Sequence, residues 1–310
     1  MTSAWPAGWT LALAVPLAWA IDQRFGEPRN AWHPVAWLGR MLAPVGQRLC
    51  ALRPACALLA GAVVWCVLAV AMAGVAWVLQ EMLLTITPWL ALPLLALVLK
   101  PTFAWRMLRD EAAAVEAALG VNLEAARTPL ARLVSRDVRS LDADLIRETL
   151  IETVAENLND SLVAPLFWYA LFGLPGAAVY RFANTLDAMW GYRGAWEWAG
   201  KWSARADDLL SWVPARISAL LLMSSMIPDD WRRLRMQARR TPSPNGGWPM
   251  GAMALKLGVR LRKPGVYALN GDAPSPQGSD VARALVRAGR AAWVAVALTA
   301  GVWLMRGARL

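Results

Sequence analysis

Long uncharged runs divide this chain. Pro54 to Gln80 and Met82 to Leu99 carry no charged residue, Met1 to Ile21 is a third such run, and Ala291 to Met305 is a shorter fourth. About 20 apolar residues suffice for a helix to cross a bilayer. The runs therefore predict membrane segments over residues 5–21, 55–79, 82–99 and 291–305, the middle two forming a hairpin turned through Gln80-Glu81. Ser161–Tyr180 and Leu209–Ile227 are weaker, because Gly173-Leu174-Pro175-Gly176 interrupts the first and Arg216 sits inside the second. They read as spanning or re-entrant, since broken helices are tolerated at membrane depth where they line a cavity. Between the runs the period turns helical and polar. Thr102 to Leu119 is one helix, and Asn122 to Ala131 opens another. From Leu145 to Asp160, apolar Leu145, Ile146, Leu150, Val154 and Leu158 mark a third, capped by Ser140 or Asp142. Residues 264–279 read as a Pro/Gly loop and 280–290 as a basic amphipathic helix. The expected fold is all-α, a polytopic membrane bundle forming a single domain over residues 1–310, with a polar cavity facing the cytoplasm.

Composition agrees with a membrane protein. Hydrophobic residues make up 57% and charged residues 17%, against about 25% charged in ordinary soluble domains. The net charge of +10 does not point to nucleic acid, because no recognition motif accompanies it. Lys and Arg sit between the apolar runs, which is the positive-inside pattern. Arg24, Arg29, Arg40, Arg48 and Arg53 place residues 22–54 in the cytoplasm and the N-terminus outside. The start lacks the basic region of a cleaved signal and reads as a retained segment of an inner-membrane protein. The Arg-rich stretch 228–240 suits a cytoplasmic flank against anionic lipid. Trp65, Trp77 and Trp89 read as lipid-facing or interfacial, and Cys50, Cys56 and Cys66 as buried packing thiols.

Chemistry concentrates in three clusters. Glu152, Glu156 and Asp160 recur every four residues, so they stack along one side of a helix and repel one another. Asn184 and Asp187 are flanked by Arg181 and Arg193, and Asp207-Asp208 by Arg205 and Arg216. Carboxylates interleaved with Arg suit magnesium plus phosphate, because hard oxygens take the metal and guanidinium forks take the phosphate. The plain alternative is a set of solvated, ion-paired helix faces. His33 is the only histidine, either a base or phosphate contact or a hydrogen-bonder that fixes its loop. Ser243, Asn245 and the following glycines precede a helix, as an anion site or an ordinary cap. No P-loop or dinucleotide fingerprint is present.

The sequence resembles the adenosylcobinamide-phosphate synthase family of cobalamin biosynthesis, CobD or CbiB, nearly end to end. The likeness rests on Asp22…Gly26-Glu27-Pro28…His33-Pro34-Val35…Gly39-Arg40, Val134-Ser135-Arg136-Asp137 and Ile151-Glu152-Thr153-Val154-Ala155-Glu156-Asn157 with Asp160. It continues through Ala164-Pro165-Leu166-Phe167-Trp168, Tyr180-Arg181…Asn184-Thr185-Leu186-Asp187…Gly191-Tyr192, Ala206-Asp207-Asp208…Pro214-Ala215-Arg216 and Ser243-Pro244-Asn245…Gly247-Trp248-Pro249. Thr241 and Met250 depart from the family pattern and receive no role. The resemblance implies an ATP-dependent ligase that joins adenosylcobyric acid to (R)-1-aminopropan-2-ol phosphate, or an analogue, as an amide. It implies ATP and Mg2+ as cofactors. Glu152, Glu156, Asp160, Asp187, Asp207 and Asp208 become candidate magnesium ligands, with Glu152, Glu156, Asp187 and His33 the candidate catalytic groups. Arg136, Arg181, Arg193 and Arg216 become candidates for the phosphates, and Asn157, Asn184, Ser243 and Asn245 for orienting substrates. Other pathway enzymes are candidate partners. The rival readings are a non-enzymatic membrane sensor of the AmpE-like group and a corrinoid transporter.

Overall fold

The computed structural model describes residues 7–29, 31–224 and 227–308. The chain runs through α1 (Ala7–Phe25), α2 (Pro34–Cys50), α3 (Pro54–Thr85), α4 (Pro88–Leu99), α5 (Trp105–Leu119), α6 (Leu123–Leu133) and α7 (Ala143–Leu158). It continues through α8 (Ala164–Phe172), α9 (Leu174–Trp190), α10 (Lys201–Leu210), α11 (Trp212–Met223), α12 (Pro228–Ala238) and α13 (Gly247–Leu257). Strands β1 (Leu261–Lys263) and β2 (Tyr267–Leu269) follow, then α14 (Gly278–Gly307). Its contacts divide the chain into two compact units.

The first unit comprises residues 1–104, 164–210 and 296–310. Pro34, Pro54, Pro88 and Pro175 each stand in a first helical turn, where the missing N–H costs nothing and the fixed φ favours the helix. The 32-residue α3 is about 48 Å long, more than the roughly 30 Å hydrocarbon thickness. It bears Leu59, Val63, Val67, Val70, Trp77 and Met82 exposed, the surface that lipid would cover. Its other side packs on a core of Phe182, Leu186, Trp190, Leu42 and Leu49, with Trp65 against Phe182. Gly61 matters there, because a Cβ would strike the Ala199 carbonyl.

The turn expected at Gln80-Glu81 lies beyond them, at Ile86 and Thr87, because Gln80 is buried within α3 and accepts a hydrogen bond from the N–H of Leu174 (2.8 Å). That bond satisfies an orphan donor at the start of α9, just after Gly173 turns the chain at φ 68°. With 12 residues, α4 reaches about 18 Å and is shorter than a crossing. Instead it lies along α1, whose Leu11, Ala12, Val15, Ala18 and Trp19 are buried. Cys56 and Cys66 are exposed on α3 and Cys50 half-buried; the apolar run that suggested packing thiols is a lipid-type surface at those positions.

The second unit comprises residues 105–163 and 211–295. The carboxylates of Asp142 and the amide oxygen of Asn122 cap α7 and α6 by accepting from Leu145 N and Ala125 N, as helix N-termini prefer. Around α7 pack α5, α6, α13 and the antiparallel hairpin β1–β2, whose register pairs Leu261 with Leu269. The hairpin occupies part of what reads as loop in the sequence, where two three-residue strands are too short to show an alternation. Buried Glu148 accepts a two-pronged hydrogen bond from Arg262 and pairs with Arg260 (3.5 Å), which ties the hairpin to α7. After Leu158 the helix widens into a π-turn, Asn159–Val163, a feature that frequently marks functional sites. Among the described residues, α3 and α14 are long and apolar enough to cross a membrane.

Candidate functional site

In the second unit the site is built on α7. Thr149, Glu152 and Glu156 follow one another at helical spacing, and Asp160 continues the row on the π-turn. Arg136, from the segment before α7, donates to Glu152 Oε2 (3.0 Å) and Thr149 Oγ1 (3.1 Å). Burial lifts the Glu152 carboxyl above its usual range, against the pull of Arg136. Glu156 goes further, to about 7, through burial and the charges of Asp160 and Glu152. Burial and these same carboxylates push the Tyr267 phenol up, so Tyr267 stays a neutral hydroxyl beside Glu152. Asn159 ties the π-turn down, donating to Asp160 (2.7 Å) and accepting from Ser218 (3.0 Å).

The start of α13 closes against this row. A Cβ on Gly246 would lie 2.9 Å from Glu156 Oε1, so a larger residue there would push the carboxylate aside. Ser243 Oγ accepts from the N–H groups of Asn245 (3.2 Å) and Gly246 (3.1 Å); those N–H groups form a cap, the plainer of the two alternatives. Arg216 donates to Asn245 Oδ1 (2.9 Å), Trp212 O (2.6 Å) and Pro244 O (3.2 Å). Its guanidinium lies over Trp212 (4.3 Å) and Trp248 (4.7 Å). Both faces and much of the fork are engaged, so Arg216 here fixes the 243–248 loop. Asn157 donates to Thr153 O on its own helix.

The first unit holds two polar clusters. On α9 and α10, Asn184 lies near Asp207 (3.4 Å). Burial, with the Asp208 charge, pushes Asp187 to about 6. Burial also raises Asp208, partly offset by Arg205. Gly191 packs so closely on the Asp187 carboxylate that a side chain there would overlap it. Arg193 is exposed in the loop after α9. Arg181 lines an apolar cavity of about 380 Å³ with Leu38, Met72, Leu97 and Phe182.

The second cluster joins the end of α1 to the end of α4. Lys100 pairs with Asp22 (3.0 Å) and with Glu27, and all three are largely buried. His33 Nδ1 accepts from Val35 N (3.2 Å), so the proton is on Nε2, which donates to Glu27 Oε2 (2.6 Å). Both ring nitrogens are engaged, which is the loop-fixing alternative for His33. Although burial pushes the other way, His33 and Lys100 hold Glu27 below the usual carboxylate range.

The family model of CobD/CbiB proteins matches residues 15–298. The chain belongs to the CobD/CbiB family. It is 39% identical to the probable cobalamin biosynthesis protein CobD of Pyrococcus furiosus, over 88% of this chain and 92% of that one. It is 35% identical to the cobalamin biosynthesis protein CobD of Chromobacterium violaceum, over 96% and 98%, and 34% identical to that of Dehalococcoides mccartyi, over 92% and 95%. No solved structure matches it.

Within this CobD/CbiB chain, the structure brings Arg136, Glu152, Glu156 and Asp160 together in one unit and Asn184, Asp187, Asp207 and Asp208 together in the other. Sequence reading gave no role to Lys100, Tyr267, Asn159 or Ser218. Lys100 reads as the end of an apolar run, and its partners are more than 70 residues away. Asp22 and Glu27 were visible in the motif around His33, but only their burial against Lys100 gives them a role. Among the described residues no three His, Cys, Asp or Glu side chains form a metal cage. That still suits magnesium, which usually keeps several waters and takes one or two carboxylates plus substrate phosphates. The donor sets fit such an ion: Glu156 and Asp187 are carboxylates whose proton affinity is raised first by burial and then by the charge of a neighbour, Asp160 and Asp208 respectively. A divalent cation relieves the same repulsion.

Proposed function

We propose that this chain makes an amide bond, joining a propionate carboxyl of adenosylcobyric acid to the amine of (R)-1-aminopropan-2-ol phosphate at the expense of ATP. Membership of a family whose relatives are named for cobalamin biosynthesis sets the pathway. The observation that carries the chemistry is the Glu152/Glu156/Asp160 row, in which burial raises the proton affinity of Glu152 and lifts that of Glu156 to about 7.

A carboxylate is a poor electrophile, so phosphoryl transfer from ATP to one of its oxygens gives an acyl phosphate and ADP. The amine, once it has lost its ammonium proton, attacks the acyl carbon, and inorganic phosphate leaves. Glu156 and Asp160 would hold magnesium, which would supply charge neutralisation to the phosphates. Arg136 offsets part of the burial penalty on Glu152 and holds it in the row. The ammonium proton passes to solvent before the attack, because an ionised Glu156 would be taken up by the metal. Asp187 with Asp208 is a second pair suited to a divalent ion. Asn245, steadied by Arg216, presents the Gly246 turn to Glu156.

The test is direct. Purified protein in nanodiscs receives adenosylcobyric acid, aminopropanol phosphate and magnesium-ATP, and adenosylcobinamide phosphate is sought by mass spectrometry. Product that vanishes without ATP or with EDTA is the expected result. No product from well-folded protein across several amino-alcohol phosphates would overturn the reading in favour of a sensor.

A further inference from the structure

Three arginines on the first half of α14 face a cavity that the amide chemistry does not use. Arg283, Arg287 and Arg290 stand at i, i+4 and i+7, on one face of the helix. Together with Leu221, Val286 and Val294 they line a space of about 570 Å³ within the second unit. Like charges at this spacing destabilise a helix, and Asp280, which pairs with Arg283 at 2.6 Å, is the acidic partner for this row. Arg283 and Arg287 are also held in position: they donate to the carbonyls of Leu257 (3.3 Å) and Leu222 (2.8 Å). The fixed guanidinium groups and the apolar wall therefore form one built surface, half cationic and half greasy.

Its place along the helix names the occupant. Immediately after Arg290, residues 291–305 carry no charge, and α14 is one of the two helices able to cross a membrane. Val294, on the apolar wall, already belongs to that stretch. We propose that the cavity binds an anionic glycerophospholipid, its phosphate between Arg283, Arg287 and Arg290 and its upper acyl chain against Leu221, Val286 and Val294. A zwitterionic headgroup brings its own ammonium to the three arginines and is disfavoured. Each basic residue near anionic lipid contributes about a fivefold preference.

The test follows lipid retention by native mass spectrometry on the full chain. The protein is purified in detergent, delipidated, and mixed with equal phosphatidylglycerol and phosphatidylcholine. Arg290→Gln disturbs none of the hydrogen bonds described here and should lower the phosphatidylglycerol preference about fivefold; Arg283→Gln with Arg290→Gln should lower it at least about tenfold. Arg132→Gln, an exposed arginine of α6 paired with Glu111, should leave it unchanged. If the double variant fails to fold, Arg290→Gln alone decides. Equal retention of the two lipids, or an effect of Arg132→Gln as large as that of Arg290→Gln, would overturn the proposal. So would millimolar pyrophosphate that displaces the lipid and itself binds through Arg290, since the site would then serve a soluble anion. None of these readouts uses amide synthesis, so the lipid site and the proposed reaction stand or fall separately.

Discussion

Glu156 and Lys100 show how a charge acquires meaning from what surrounds it. Glu156 takes up its proton at about pH 7 because burial, Asp160 and Glu152 all oppose its ionisation. A carboxyl whose folded affinity exceeds its unfolded one opposes folding increasingly as pH rises from the ordinary value of 4.5 to about 7. Magnesium binds only the ionised form. Magnesium should therefore raise the thermal transition more at pH 8 than at pH 6, with activity falling as pH drops through 7. Differential scanning fluorimetry and initial rates check both, and Glu156→Gln should erase the pH-dependent part. Glu156→Gln and Asp187→Asn should each lower product formation by at least about 100-fold while the protein still inserts in membranes; full activity in both would end their assignment.

Lys100 acts oppositely, as an ammonium that pairs with both buried Asp22 and Glu27. Lys100→Met removes that charge from two buried carboxylates and should destabilise by about 3–5 kcal/mol. Adding Asp22→Asn and Glu27→Gln should recover part of that loss in a thermal unfolding series. A Lys100→Met protein as stable as the parent would show the cluster to be open to water.

At the scale of elements, local signals were legible and long-range ones were not. Asn122 and Asp142 cap α6 and α7 within three residues of themselves, and Gly173 breaks the α8–α9 pair where the Gly-Leu-Pro-Gly run stands. The carboxylate row on α7 is likewise a matter of spacing four. By contrast Gln80 looked like the polar tip of a hairpin. Its partner, Leu174 N, is 94 residues away, and no periodicity reports such a bond. For the same reason Lys100, Tyr267 and Arg260 gained their partners only in three dimensions, and Arg216 and His33 proved to be tied into their own loops. Gln80→Leu should leave the Leu174 N–H buried without an acceptor and cost about 1–3 kcal/mol, measured as a lower unfolding temperature in detergent. Gln80→Glu keeps an acceptor and should cost less; equal losses in both would mean that volume, not the hydrogen bond, governs the site.

For the molecule as a whole, the strongest physical statement concerns α3. Its ends, Arg53 and Ile86, are separated by 32 helical residues, and Leu59, Val63, Val67, Val70, Trp77 and Val78 between them are apolar and exposed, with Glu81 exposed only near the far end. An exposed apolar surface of that size is a membrane or partner surface, and the length exceeds a bilayer core. Arg53 and Ile86 should therefore lie on opposite sides of the membrane, with Arg53 inside, because the Arg-rich segment from residue 22 to 53 precedes α3. A variant lacking Cys50, Cys56 and Cys66 should retain activity, since none is fully buried and none is disulfide-bonded. In that background Ile86→Cys should react with a membrane-impermeant maleimide on intact spheroplasts, and Arg53→Cys only on inverted vesicles. Labelling of both from one side would rule out α3 as a crossing helix and make its apolar face a surface for another protein. Labelling from opposite sides also orients the rest of the first unit. Lys100 pairs the end of α4 with the end of α1, so those two ends share one side, and the loop that holds Glu27 and His33 lies there with them.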